Sequence, residues 1–493
     1  MKGVGLALVA ALAALPAAPQ QLAKHPRELR FDERQFTPPK AADFQHKLAN
    51  GAVAFLVEDH EFPLVNVEVI IRTGGYLEPP EKAGLAGLTG SQIRSGGTRN
   101  KPPEVFDEEA AFLAASLGSG IDDFNGSANL NCLAKDIDAC LALFAEMLRE
   151  PGFAEQRLRL AKSQILQSLE QRNDRTADIE QREFARLMRG DKHFTVVPTT
   201  KATLESITRD DMAAFHKRYY YPANFVFAVS GDFKTKEMLG KLEQAFGNWP
   251  SPRIAVPPVP KPQHTPKPGV YAVNKAGVNQ GRVRMGHMGV TEANPDHLGL
   301  AVMNGILGGD AFTSRITNRV RSDEGLAYSA GSSFPAGVYY ESVFVAGFQS
   351  KSETVAQAIE IVREEIGRMK TAPVKAEELN TAKAKAIESL PLRFATAGQK
   401  ASLFANDYYT RRPADYWQKY TERIRTLTPE SIQQLAAKYL HPDRLVVLVV
   451  GDVDGILKGH PDRPQHSLAK IAGEAGITRI PLPDPLTMVY PAE

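Results

Sequence analysis

The sequence predicts an α+β fold built twice, as two tandem homologous domains. Three observations carry this. The stretch 208–233 returns at 428–453, where Thr208, Tyr219, Pro222, Val226, Val229, Gly231 and Asp232 recur as Thr428, Tyr439, Pro442, Val446, Val449, Gly451 and Asp452, at a constant offset of 220 residues. Matching order, type and spacing at one offset mark a duplication. Strand-like runs mix with long helical ones without regular β–α–β alternation, which is the α+β pattern. Eight prolines fall between Pro250 and Pro268, an extended, stiff segment dividing the copies.

The repeated unit itself reads as a helix followed by a strand. Thr208 and Thr428 are N-cap residues, with an acid two positions on at Asp210 and Glu430. Apolar residues follow at helical spacing: Met212, Phe215 and Tyr219 in one copy, Ile432, Leu435 and Tyr439 in the other. A proline ends each helix, and a β-rich run, 225–229 or 445–450, closes on Gly-Asp.

Further strands are expected at 53–57, 65–71 and 129–132, and helices at 84–93, 137–148 and 155–171. In the second copy, strands are expected at 282–286, 327–332 and 340–348. Helices there are expected at 298–307, 313–321, 354–369 and 376–389. Residues 22–45 and 455–493 are polar or proline-rich and read as arms on the outside.

The chain of 493 residues then divides into a signal peptide at 1–20, a first domain at 42–249, a linker at 250–268, a second domain at 269–455 and a tail at 456–493. Lys2 precedes the apolar run 4–15, and the small residues Ala17 and Ala18 follow, the order of a secretory signal. That run is too short to span a bilayer, and no other segment approaches the ~18 apolar residues a spanning helix needs. Export, to a periplasm, would permit a disulfide between Cys132 and Cys140. The alternative is two buried free thiols, on a strand end and a following helix that need not face each other.

A net charge of +2, with no basic stripe, excludes an electrostatic case for nucleic acid. There is no Gly-x-Ser-x-Gly elbow and no phosphate loop. No two of the eleven histidines lie three or four residues apart, so no helix face presents a histidine pair to a metal. His60 and His287 read as ordinary strand or surface histidines.

The run Gly74-Gly-Tyr-Leu-Glu-Pro-Pro-Glu-Lys-Ala-Gly-Leu-Ala86, ending in Gly97-Thr98, resembles the catalytic-domain opening of the insulinase/pitrilysin family, peptidase family M16. The resemblance covers roughly residues 42–455 and implies two tandem M16-type domains forming half of a clam-shell. Family members continue with His-x-x-Glu-His, in which two histidines bind zinc and the glutamate is the general base. Here Gly87 and Ser91 stand at the histidine positions and Gly90 at the base. The third ligand, a glutamate, falls on Ser168, with Glu170 two residues away and on another face. This implies no metal and no catalysis in this half.

Leu307-Gly-Gly309, Phe312-Thr-Ser-Arg315 and Gly325-Leu-Ala-Tyr-Ser329 resemble the family's non-zinc half. That half carries an arginine and a tyrosine that bind the substrate backbone and the tetrahedral oxyanion; here they fall on Arg321 and Tyr328. Both side chains donate hydrogen bonds and suit developing negative charge. The implied assembly is a heterodimer with a His-x-x-Glu-His subunit that holds the zinc, acting on a peptide. The other reading is a pseudo-peptidase that binds peptides or scaffolds an assembly.

Overall fold

Two six-stranded sheets share one strand order. The computed structural model describes residues 35–252 and 254–491. Of the unit Met1–Thr37 only residues 35–37 are described, without helix or strand, so the expected signal peptide lies outside the described residues. The rest of the chain is a single unit.

Its strands are β1 (Gln45–Lys47), β2 (Val53–Glu58), β3 (Leu64–Ile71), β4 (Ser116–Ile121), β5 (Gly126–Leu133), β6 (Phe225–Gly231), β7 (Gly269–Asn274), β8 (Gln280–Met288), β9 (Val290–Thr291), β10 (Ala327–Ser333), β11 (Ala336–Gly337), β12 (Val343–Lys351), β13 (Val446–Gly451) and β14 (Ile477–Ile480). The first half carries helices α1 (Leu85–Ser95), α2 (Pro103–Phe112), α3 (Ile137–Arg149), α4 (Glu155–Glu170), α5 (Thr176–Arg189), α6 (Lys201–Ser206), α7 (Arg209–Tyr219) and α8 (Thr235–Phe246). The second carries α9 (His297–Asn304), α10 (Arg315–Thr317), α11 (Val355–Thr371), α12 (Ala376–Glu388), α13 (Ala397–Thr410), α14 (Tyr416–Arg425), α15 (Pro429–Tyr439), α16 (Val453–Lys458) and α17 (Leu468–Ala472).

The first sheet runs β1-β2-β6-β3-β5-β4 and the second β14-β7-β13-β8-β12-β10. From the second position onward the pairings match in sense: one parallel pair, β2/β6 or β7/β13, then antiparallel pairs to the edge. The outer strands differ. β1 comes from the preceding chain and runs antiparallel, whereas β14 comes from the tail and runs parallel. The tail expected as an outside arm thus adds a strand to the second sheet.

β6 and β13 are buried along their whole length, as a strand must be when helices cover both faces. One face of each packs on helices of its own half. The other face is covered by a helix from the opposite half. Ile179, Phe184 and Met188 of α5 pack on Val446, Leu448 and Val450 of β13. Ala401, Phe404 and Ala405 of α13 pack on Val53, Phe55, Val226 and Ala228 of the first sheet. Each half therefore completes the other's core, and the described residues of the joining segment 250–268 carry neither helix nor strand.

Thr208 and Thr428 cap their helices, accepting from the N–H groups of Asp211 and Ser431. The helix expected at 313–321 instead begins at Arg315 and widens into a π segment, Asn318–Asp323. Cys132 on β5 and Cys140 in the first turn of α3 do face each other. Their thiols are free and buried, and burial pushes both upward in pKa.

Candidate functional site

α1 starts where Gly84 takes a left-handed conformation, φ 104°. The Glu78 carboxylate accepts from the N–H groups of Gly84 (3.0 Å) and Ala86 (2.8 Å), a fixed anion at the positive end of the helix. Burial raises the Glu78 pKa against those bonds. One turn further on, Gly87 and Ser91 lie on the exposed face, and nothing lies within 4 Å of a Cβ built on Gly87. Gly90 faces inward. A Cβ there would fall 2.3 Å from the Ile121 nitrogen and 2.6 Å from the Gly120 carbonyl carbon of β4. Ser119 of the same strand donates to the Gly90 carbonyl at 2.6 Å. Ser168 is exposed in the last turn of α4.

A zinc ion does not fit these residues. Positions 87 and 90 lack side chains, 91 and 168 carry only hydroxyls, and the backbone of β4 fills the space a base would need. Among the described residues no three His, Cys, Asp or Glu side chains gather into a metal-holding group.

The equivalent corner of the second half is built differently. α9 runs into a π segment, Gly305–Gly309, whose Gly308 packs against β10 as closely as Gly90 does against β4: a Cβ there would fall 2.6 Å from the Ser332 nitrogen. The turn that follows is held by Asp310, which accepts from the N–H groups of Phe312 (3.0 Å) and Thr313 (3.2 Å) and pairs with Lys385. The Lys385 ammonium and those N–H groups hold its carboxyl far below the usual range. That turn presents Phe312, 74% exposed.

Three arginines follow. Arg315 makes a two-pronged pair with Glu378, 2.7 Å on each prong. Arg319 pairs with the buried Glu365 at 2.8 Å and with Glu364 at 3.3 Å. Arg321 has no carboxylate among the described residues. Its guanidinium carbon instead lies 5.0 Å from the ring centre of Tyr328 and 5.7 Å from that of Phe312.

Tyr328 owes its position to a β-bulge. Ala327 pairs with Ser350 and Ser329 with Gln349, so Tyr328 is the extra residue, turned outward and 85% exposed. The structure brings together Arg321 and Tyr328, the two residues singled out from the sequence, and adds Phe312. The role of Phe312 was missed although its motif was visible, because only the Asp310 turn and the π segment set it beside Arg321. Chemically the pair is a half-buried cation without a carboxylate partner among the described residues, with an exposed phenolic O–H beside it.

A family model described as insulinase (peptidase family M16) matches residues 53–193, and one described as the peptidase M16 inactive domain matches residues 206–386. A protein of Helicobacter pylori described as the non-peptidase homolog YmxG is 23% identical over 424 residues, 84% of this chain and 95% of that protein. The crystal structure of a peptidase M16 inactive domain from Pseudomonas fluorescens superposes with a TM-score of 0.74 at 22% identity, covering 83% of this chain and 97% of that one. The periplasmic protease PqqL from Escherichia coli superposes with a TM-score of 0.68 at 14% identity, over 88% of this chain but 49% of PqqL. At these identities the two superpositions speak for the fold.

Proposed function

The chain belongs to peptidase family M16, the insulinase family, and we propose that it is the metal-free subunit of an exported two-chain zinc peptidase. A His-x-x-Glu-His partner would hold the zinc and the general base. This chain would help enclose an extended peptide and supply Arg321 and Tyr328. The observation that carries the reading is the state of Arg321: its neighbours Arg315 and Arg319 are locked to glutamates, while the half-buried Arg321 has no carboxylate partner among the described residues and lies against the exposed Tyr328.

When water attacks a scissile carbonyl, negative charge gathers on the carbonyl oxygen. A guanidinium fork and a phenolic O–H, already stacked, would donate to that oxygen without reorganising first. Cation–π contacts with the Phe312 and Tyr328 rings would help hold the guanidinium near Tyr328, with no carboxylate partner among the described residues to neutralise it. Further support comes from PqqL, a periplasmic protease whose single chain is about twice the length this chain matches. Two chains of the present size would supply the same extent of fold. Export rests on the signal-like order of residues 1–20.

The second reading, a pseudo-peptidase acting as a peptide-binding or scaffold protein, is favoured by the H. pylori relative described as a non-peptidase homolog. Mixing the purified chain with the His-x-x-Glu-His homologue from the same source separates the two. Turnover by the mixture that exceeds that of the homologue alone, and that falls with Arg321→Ala while the complex still forms, is the expected result. Formation of a complex whose turnover ignores both Arg321 and Tyr328 would favour the scaffold.

A further inference from the structure

Beside the Arg321–Tyr328 pair, the face of the second sheet that α5 leaves uncovered forms a groove of about 460 Å³. Ser329, which follows Tyr328, and Ala311, which precedes Phe312, both line it, so the groove opens next to that pair. Its floor includes Gly331 of β10 and Gly347 of β12, which leave room for a ligand's main chain to lie close to the sheet. Its charge comes from three residues. Arg282 and Arg284 lie two apart on β8 and point to the same face. Both reach one oxygen, Glu180 Oε2 of α5, at 3.2 and 3.4 Å. Arg282 also donates to Gln349 at 2.9 Å, and the Arg284 guanidinium lies 5.8 Å from the centre of the Phe184 ring. Two cations therefore share a single buried carboxylate, and one positive charge is left over.

The matching groove on the first sheet shows that this charge is not a requirement of the fold. Arg282 and Arg284 pair with Val450 and Leu448 of β13, while Asn66 and Glu68 pair with Ser230 and Ala228 of β6, at the repeat offset of 220 residues. Asn66 and Glu68 thus occupy the places of the two arginines. Ala401 of α13 lines that groove as Glu180 lines the other, and Asp59 adds a further acid. At these matching strand positions the charge of the two sheets is of opposite sign.

We propose that the groove floored by Arg282 and Arg284 binds a carboxylate of an extended peptide, an acidic side chain or a free C-terminus. An arginine fork matches a carboxylate in plane and in spacing, and a second carboxylate would neutralise the surplus charge that Glu180 leaves. A peptide anchored there reaches Tyr328 along β10, so the groove selects which peptides come to the pair. The inference rests on the reading of this chain as a peptide-enclosing subunit and names the class of peptide enclosed.

The test is fluorescence anisotropy of the full chain with four dye-labelled nine-residue peptides: a glutamate or a glutamine at one position, each with a free or an amidated C-terminus. We expect one or both carboxylate sources to tighten binding about tenfold over the doubly neutral peptide, the size of one charge-assisted pair. Whichever arm tightens identifies the source. Arg284→Gln, which leaves Glu180 paired with Arg282, should erase the preference with little change in melting temperature; Arg282→Gln serves if that variant is unstable. Equal binding of all four peptides, no binding, or a preference that survives both substitutions overturns the proposal. Neither partner nor turnover is needed, so a carboxylate preference without activation of a partner would sink the subunit reading alone. Activation without the preference would sink this one alone.

Discussion

In the first half Gly90 of α1 lies against Gly120 of β4; in the second, Gly308 lies against Gly331 and Ser332 of β10. Both contacts sit where a helix crosses an edge strand, and both demand a residue without a side chain. They lead to different outcomes. On the proposed reading the first-half glycine takes the place of the family's base, and the packing that closes the corner leaves no room for one. In the second half the glycine ends a π segment that leads into the Asp310 turn and sets Phe312 beside Arg321 and Tyr328. A duplicated architecture tolerates loss of function on one side when the loss is absorbed as packing.

Returning the base should therefore be the most damaging change. Gly90→Glu forces a Cβ to within 2.3 Å of the β4 backbone, which cannot move without breaking its ladder to β5. The expected loss is about 4 kcal/mol or more of stability, read as a lowered urea midpoint. Gly308→Ala should fall in the same direction, because a Cβ there meets both the Ser332 hydroxyl at 2.4 Å and the Ser332 backbone nitrogen at 2.6 Å. If Gly90→Glu melts like the native chain, β4 yields and the corner is not closed.

Next in size is the loss of the exposed pair. In the complex with a zinc-bearing partner, Arg321→Ala should lower kcat by roughly 10²–10³-fold, the usual effect of removing a transition-state donor. Tyr328→Phe should act in the same sense with less effect. Phe312→Ala keeps both donors and should lose only a few-fold, in line with a cation–π contact of about 0.5–1 kcal/mol. All three residues are at least partly exposed, so melting temperatures should hold. Equal turnover across the series would return the pair to the status of a surface stack.

Each half also buries a histidine that burial holds far below its ordinary pKa. Burial pushes His216, which donates to the Leu148 carbonyl at 2.7 Å, down to about 4. Burial likewise pushes His287, bonded to the Met288 carbonyl, down to about 4. The unfolded chain takes up these protons near pH 6.5 while the folded chain resists until about 4. In that window the unfolded state binds more protons, so stability rises with pH. Acidifying from pH 7 to 4 should remove on the order of 3 kcal/mol per histidine, followed by urea midpoints. His216→Gln retains a donor for Leu148 and should flatten the part of the fall that His216 contributes. An unchanged profile would mean that His216 titrates normally in the fold.

What was legible in the sequence was whatever one half builds alone. β6 and β13 read as apolar runs because every residue in them is buried, and the Thr-capped α7 and α15 repeat in cap, apolar spacing and closing tyrosine. α5 and α13 were not legible. Their apolar positions answer to the opposite half's sheet, and α5 is so rich in charge that Ile179, Phe184 and Met188 look incidental until β13 lies beneath them. β4, Ser-Leu-Gly-Ser-Gly-Ile, has one β-branched residue among its six and two glycines, too little to announce a strand. Arg321 and Tyr328 were found through motif likeness. Their stacking was hidden because it depends on a π segment and a bulge, each a one-residue irregularity with no periodic trace. The groove charge was hidden too, since Glu180 meets Arg282 and Arg284 only once α5 has crossed between halves.

The smallest expected effect separates lost ligands from lost space. Gly87 and Ser91 lie four residues apart on the exposed face of α1, and a Cβ on Gly87 meets nothing. Replacing both with histidine should change stability by less than about 1 kcal/mol, with the gain in helix propensity at position 87 on the favourable side. Two imidazoles at that spacing on one helix face make half a zinc site. The double variant should therefore bind zinc weakly by calorimetry and still leave peptides uncut, because Gly90 offers no base and Ser168 no third ligand. Adding Ser168→Glu should tighten the metal if the last turn of α4 faces α1, again without hydrolysis. Destabilisation of the histidine pair comparable to that of Gly90→Glu would show that the whole helix face has closed. Peptide cleavage by the three-ligand variant would show that space at position 90 is not what keeps this half silent.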